Sequence, residues 1–321
     1  MDRLKNIVVG VDFSRYSASA LAQAMRIAHW NAAKLHVVHV IEPSITTDLA
    51  DSYGVAHVDT WDGFRDVARE RTVEMISATQ RLSALTGQTE VLDPEIDVEI
   101  LFGNPFVHML RQVRDVSAEL FVLGSSGSSD PAQGPGALAT KCVHKAPTKV
   151  MLVREFGAEP FKRIVACVGF SDTCRLVVEQ AIRIARQDRS SLDVLHVYGL
   201  PRETADEGAP TPEASPESQQ QFENRLDGRL REFLPPFGPE MSGLTVEIHP
   251  AGTRDEKAGI VEFVRSSAPD LVVLGTCGRT ELKGTPTATT AERIVREAPC
   301  SVLAIKPEDF RYDVGGAPRK R

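Results

Sequence analysis

The chain has 321 residues, of which 42% are apolar and 25% charged, with a formal net charge of -7; that is room for two domains of common size, each able to bury its own core. Basic residues are scattered rather than gathered into a stripe, which argues against a nucleic-acid surface, and no apolar run approaches the roughly 18 residues of a membrane span. The five cysteines (Cys142, Cys167, Cys174, Cys277, Cys300) contain no Cys-x-x-Cys pair, so free buried thiols in a reducing, cytoplasmic compartment are expected rather than disulfides or a structural zinc site.

Met1-Asp2-Arg3 leads straight into a strand-like segment with no signal-peptide core. Strands are predicted near 5–11, 34–41, 96–102, 119–123 and 148–153, and helices near 15–30, 60–86, 105–117 and 136–145. Segment 42–58 is expected to be the better ordered of two long connections, because it carries Tyr53, Val55 and Val58. A linker follows at Glu155–Pro160. Strands are predicted again near 162–168, 191–198, 244–250, 270–274 and 300–306. Between the second and third of these, Gly199 to Gln221 is rich in Pro, Glu, Ser and Gln, which predicts a mobile loop. Ser14 and Ser171 stand where a helix N-cap should follow the first strand of each half. The strands are continuous Val/Ile/Leu runs, not alternating ones, as in parallel sheets buried on both faces.

The second half repeats the first. Lys5–Ser14 matches Lys162–Ser171, and Val37-Val38-His39-Val40 matches Val194-Leu195-His196-Val197 at the same offset. Leu120–Gly124 matches Leu271–Gly275, and Ala146-Pro147 before Val150–Val153 matches Ala298-Pro299 before Val302–Ile305. Four matched blocks in one order indicate an internal duplication.

In an open parallel sheet, ligands bind beyond the carboxyl ends of the strands, where strand order reverses. The fourth strand of each half runs into glycine-rich sequence, Gly124-Ser125-Ser126-Gly127 and Gly275-Thr276-Cys277-Gly278. Such a turn can point successive amides at an anion, and the helix behind it adds its own N-terminal amides. A plain tight turn is the alternative.

These residues are similar to those of the universal stress protein family. Asp12-Phe13-Ser14 after strand one resembles it, as does a Gly-x-x-Gly loop leading to a helix that ends in Ala-Pro before a last apolar strand. Asn104-Pro105-Phe106, Gly275–Thr280, Thr290–Val295 and Ile305-Lys306-Pro307 extend the likeness to its tandem members. The resemblance implies an α/β fold: two tandem Rossmann-like domains of the adenine nucleotide alpha hydrolase-like kind, each a five-stranded parallel sheet flanked by helices. Domains at 1–155 and 160–308 would pair through their last strands as an intramolecular pseudo-dimer, with 309–321 a flexible tail.

The family's ATP-binding members carry Gly, two residues, Gly, nine residues, Gly, then Ser or Thr. The first half has Gly124 and Gly127 but only eight residues before Gly136, with Ala137 in place of the hydroxyl residue. The second has Gly275 and Gly278, then Ala288 in place of glycine, followed by Thr289 and Thr290. The family's base-side aspartate is Asp12; its counterpart is Gly169. Losing the hydroxyl removes a hydrogen bond worth about 1.5–3 kcal/mol to a charged partner. Alanine for glycine costs on the order of 1–2 kcal/mol where the backbone needs positive φ. Neither loss forbids binding. The implied contacts are Asp12, Val40, Gly124, Gly127 and Gly136 in the first half, and Val197, Gly275, Gly278, Thr289 and Thr290 in the second.

His39 and His196 are equivalent and read as core residues; His36 and His39 face opposite sides of their strand and cannot share a metal. His29, His57, His108, His144 and His249 show no ligand spacing, so no metal site is expected from sequence, with a surface site assembled from separate elements as the alternative. Arg279 and Lys283 could neutralise phosphate or simply face solvent. No Walker sequence and no Gly-x-Ser-x-Gly occurs.

The resemblance implies a cytoplasmic regulator that binds ATP or another adenine nucleotide, with Mg accompanying it, and acts through contacts with other proteins, including further self-association. No nucleic-acid or membrane partner is expected. A scaffold with degenerate sites and a slow ATPase are the competing readings.

Overall fold

The structure, a computed structural model, describes residues 3–42, 61–85, 93–127, 136–154, 159–199, 224–226, 228–230, 232–253, 255–276 and 290–312. Segment 43–58, most of the Gly199–Gln221 connection, most of the linker and residues 277–289 lie outside them.

Two compact units emerge: Met1–Glu159 with Ser301–Arg321, and Pro160–Cys300. In the first, β1 (Asn6–Val11), β2 (Lys34–Ile41), β3 (Ile96–Phe102), β4 (Leu120–Gly124) and β5 (Lys149–Val153) run parallel in the order β3-β2-β1-β4-β5. Helices α1 (Arg15–Asn31), α2 (Trp61–Leu85), α3 (Pro105–Asp115) and α4 (Ala137–Lys145) connect them. α1 packs on β1, β4 and β5 and against α2, whereas α3 packs on β1 and β2 and against α4. Coverage of both faces is why β1 and β4 are rich in apolar residues and β2 is buried along its length: Ile7, Leu35, Ile41 and Phe121 are fully buried, as are Leu21 and Met25 of α1.

The second unit holds β6 (Arg163–Cys167), β7 (Ser191–Gly199), β8 (Val246–Thr253) and β9 (Leu271–Gly275), parallel in the order β9-β6-β7-β8. Its helices are α5 (Asp172–Asp188), α6 (Glu256–Ser267) and α7 (Thr290–Glu297). The last strand, β10 (Ser301–Ile305), belongs to the first unit, where it pairs antiparallel with β5 (Leu303 opposite Met151). The sequence repeat and the compact units therefore part company at one strand. The pairing satisfies the outer edge of β5, a row of backbone groups that would otherwise stand open. Packing also runs past the expected boundary at 308: Tyr312 stands edge-on to Phe106, and the Lys306 ammonium lies over Phe310.

The duplication is visible in backbone detail. Helices α1 and α5 end on left-handed residues at Ala32 and Arg189, and Ser117 and Ala268 repeat this after α3 and α6. Asn104 caps α3 and Asp255 caps α6. Glu119 Oε2 accepts from the amides of Lys5 and Asn6, both at 2.9 Å; Asp270 Oδ2 accepts from those of Lys162 and Arg163 at 2.6 and 2.9 Å. The expected caps of α1 and α5 differ. Ser14 Oγ accepts from Ser17 N, but Ser171 makes no such bond and its hydroxyl turns to Cys174 Sγ.

Candidate functional site

The carboxyl ends of β1 and β4 meet where strand order reverses, and the sequence-predicted residues of the first repeat gather there. Asp12 follows the last residue of β1. Its Oδ1 accepts from Ser14 N at 3.0 Å and from Ser14 Oγ at 2.6 Å, closing an Asx turn that starts α1. Ser17 Oγ in turn accepts from Asp12 N at 3.3 Å. Asp12 is exposed, and its carboxylate is held by the Ser14 hydroxyl and amide rather than by burial.

The second carboxylate oxygen faces the glycine loop. A Cβ on Gly127 would come within 2.9 Å of Asp12 Oδ2, so bare backbone lets the loop lie against the acid. Gly136, the N-cap of α4, lies near the amide of Gly127 and donates its own N–H to Ser125 O at 2.9 Å. No side chain caps α4, so its first-turn amides are not taken by a capping group, as anion binding at a helix start requires. Gly124 has a different reason to be glycine. A Cβ there would stand 2.8 Å from the carbonyl carbon of Tyr16, so β4 passes directly beneath the first turn of α1. Val40 is buried on β2.

A stack of three side chains borders the cleft. Phe13 has φ of +62°, in the left-handed region that a bulky residue enters only at a cost of about 1–2 kcal/mol. Its ring packs on His39 at 4.5 Å, and the Arg71 guanidinium of α2 lies 4.4 Å above it. His39 Nδ1 is 2.8 Å from the Val11 carbonyl, so that nitrogen carries the proton and donates. Burial pushes the pKa of this imidazole down, as it does for His36.

The second repeat keeps the stack and changes the rest. Phe170 packs on His196 at 4.7 Å under the Arg229 guanidinium at 3.9 Å, and His196 Nδ1 lies 2.8 Å from Val168 O. His39 and His196 thus match the core reading. Where the first repeat has Asp12 and Ser17, the second has Gly169 and Cys174, and Gly169 N donates to Cys174 Sγ at 3.0 Å. Val197 is buried, with Gly259 of α6 closely opposite, and Gly275 ends β9. Thr290 opens α7. Gly278, Thr289, Arg279 and Lys283 lie outside the described residues. Cys174 is half-buried, against the expectation of wholly buried thiols, because the first turn of α5 opens at the strand ends. No sequence pattern marks Arg71 and Arg229; they sit outside the matched blocks of the repeat, and only the matched Phe13 and Phe170 hint at a shared partner.

Among the described residues, no helix is long and apolar enough to cross a membrane. The universal stress protein family matches residues 3–154 and again residues 160–306. A universal stress protein of Methanocaldococcus jannaschii is 27% identical over 157 residues, 47% of this chain and 85% of its own length. The structure of a universal stress protein from Archaeoglobus fulgidus aligns with a TM-score of 0.60 at 15% identity, over 94% of this chain and 98% of that one. A Pseudomonas aeruginosa protein of unknown function aligns with a TM-score of 0.63 at 16% identity, over 95% and 94%. At such identities these two structures speak for the fold.

Proposed function

The chain belongs to the universal stress protein family, with two of its domains in tandem, and on that premise we propose that the cleft of the first repeat binds an adenine nucleotide, ATP in the first instance. One observation carries this reading: Asp12 Oδ2 looks onto Gly127, with the uncapped start of α4 beside it. The carboxylate offers an acceptor to ribose hydroxyls or an exocyclic amine. The loop and helix amides offer donors to phosphate. Magnesium would arrive with the phosphates, which it binds with few protein ligands. The left-handed Phe13 fits the same reading, since strain of this kind collects at binding sites.

The second repeat has exchanged the carboxylate for Gly169 and a thiol, so it reads as a partner-facing or structural half rather than a second nucleoside site. Nucleotide occupancy would be relayed to other proteins, or to further copies of the chain, by changes around the glycine loop.

Isothermal titration of the full chain with ATP tests this. One nucleotide per chain is expected, with affinity falling about ten- to a hundredfold in Asp12→Ala, as for loss of a charged hydrogen bond. A chain that ignores ATP, ADP and AMP alike is a scaffold, and the reading is wrong.

A further inference from the structure

On the side of the second sheet that faces α6, Asp193 of β7 stands beside Glu247 and His249 of β8. The register sets Asp193 opposite Glu247 and Leu195 opposite His249, and residues two apart on a strand share a face. His249 Nε2 lies 3.0 Å from Asp193 Oδ1 and 3.6 Å from Glu247 Oε2, and the three donor atoms lie within 4.8 Å of one another. Tetrahedral zinc, with ligands at about 2.0–2.2 Å, separates adjacent donors by roughly 3.3–3.6 Å. The set is already close to that spacing.

The surroundings orient it. Asp193 is buried, and its other oxygen is held 2.7 Å from Arg163 Nε, while Arg163 also donates to Ser267 O at 3.1 Å. Oδ1 is thereby left facing the cluster. Phe263 packs on the imidazole at 5.0 Å. Supports of this kind fix the direction of metal ligands. Two carboxylates against one guanidinium favour a divalent cation.

The first repeat supplies a second, independent observation. By strand register, Asn6, His36, Asp97 and Glu99 occupy the places of Arg163, Asp193, Glu247 and His249. His36 is 7% exposed; its Nδ1 makes no hydrogen bond and points at Asp97 Oδ2, 3.6 Å away. One imidazole and two carboxylates thus recur at the same three positions, although the imidazole has changed strands. Packing alone would preserve each position's size and polarity. A need for one nitrogen and two oxygen donors preserves the set and lets positions trade. Among the described residues, only the second repeat draws three donor atoms this close.

We propose that Asp193, Glu247 and His249 bind one divalent transition-metal ion, zinc in the first instance, with water completing the shell. The imidazole would bind through Nε2 as its Nδ1–H tautomer, so the proton now on Nε2 moves to the other ring nitrogen. Asp193 is the third residue of β7, toward the amino ends of the strands, so this site is separate from the nucleotide cleft. The ion would pin β8 to β7.

The test is calorimetric titration of chelator-treated, full-length protein with zinc chloride. One ion per chain is expected, with affinity at least about tenfold weaker in His249→Ala and in Glu247→Gln and unchanged in His36→Ala. X-ray absorption should show nitrogen and oxygen ligands without sulfur. Glu247 is largely exposed, so its variant keeps the test valid if His249→Ala fails to fold. Absence of saturable zinc uptake overturns the proposal. So does uptake that survives both substitutions, or that is lost instead in Cys174→Ser or His36→Ala.

Discussion

Ser17 Oγ in the first repeat and Cys174 Sγ in the second accept the equivalent backbone N–H, that of the residue five before them at the turn after β1 and β6: Asp12 N at 3.3 Å and Gly169 N at 3.0 Å. The turn geometry survived duplication while its chemistry did not. In the first repeat Ser17 holds the backbone of Asp12 while Ser14 holds its carboxylate; in the second a thiol closes the turn and glycine replaces the acid.

Among the described cysteines, Cys174 should consequently react first. Burial pushes the Cys142 thiol up to about 12 and the wholly enclosed Cys167 higher still, so neither offers thiolate at neutral pH. Cys300 is also buried, and only Cys174 of these four is partly open. Peptide mass spectrometry after brief iodoacetamide treatment of native protein should find Cys174 alkylated well before Cys142, Cys167 and Cys300. Equal labelling of Cys142 would mean that the core of the first unit opens readily.

Two glycines of one loop should respond differently to the same substitution. At Gly124 an added methyl meets the backbone of Tyr16 and Ser17 at 2.8–3.0 Å. Gly124→Ala must therefore shift α1, and a loss of about 1–3 kcal/mol is expected from overpacking. At Gly127 the methyl meets only the end of the Asp12 side chain. Gly127→Ala should keep stability within about 0.5 kcal/mol yet displace Oδ2 and weaken ATP binding. Thermal melts beside calorimetry separate the two. Equal destabilisation by both would contradict the loop geometry.

Acid should destabilise the protein before its carboxylates titrate. Burial lowers the pKa values of His39 and His36, so below the ordinary histidine value of about 6.5 the unfolded chain takes up protons that the native imidazoles refuse. Their contribution to stability is complete above that pH and is lost as pH falls through the depressed native values. Tm should hold from pH 8 to 7 and decline below about 6.5. The decline should be shallower in His39→Asn, whose amide can still donate to Val11 O. An unchanged slope in that variant would remove His39 from the account.

The duplication, the parallel strands and the order of elements were legible because each rests on a local pattern, such as the continuous Val/Ile/Leu run of β1 or the Ala-Pro pair before β5 and β10. Strand ends moved by only a residue or two, except at β8, where Pro250, Ala251 and Gly252 disfavour a strand and the extension to Thr253 follows from pairing with β7. What stayed hidden depends on distance in space. The left-handed Phe13 carries no glycine or asparagine to announce it. His249 lacked metal-ligand spacing because one partner lies on the neighbouring strand and the other is Glu247, two residues back, a spacing that brings side chains together only on a strand. Assignment of β10 to the first unit follows from pairing, which composition does not encode.

Lys306 gives the sharpest test of that assignment. It directly follows β10 at the end of the second sequence repeat, yet its buried ammonium donates to the carbonyls of Val143 and His144 at the end of α4. Those carbonyls lie in the last turn of the helix, where a cation also opposes the negative end of the dipole. Lys306→Met keeps the stem and removes the donors, so about 1.5–3 kcal/mol should be lost, as for hydrogen bonds to a charged group. At about 2–4 °C per kcal/mol for a unit of this size, Tm should fall by roughly 3–12 °C. Hydrogen exchange should locate the effect, with faster exchange in α4 and β5 of the first unit and none in α6 of the second. Loosening confined to the second unit would show that β10 belongs with its own repeat after all.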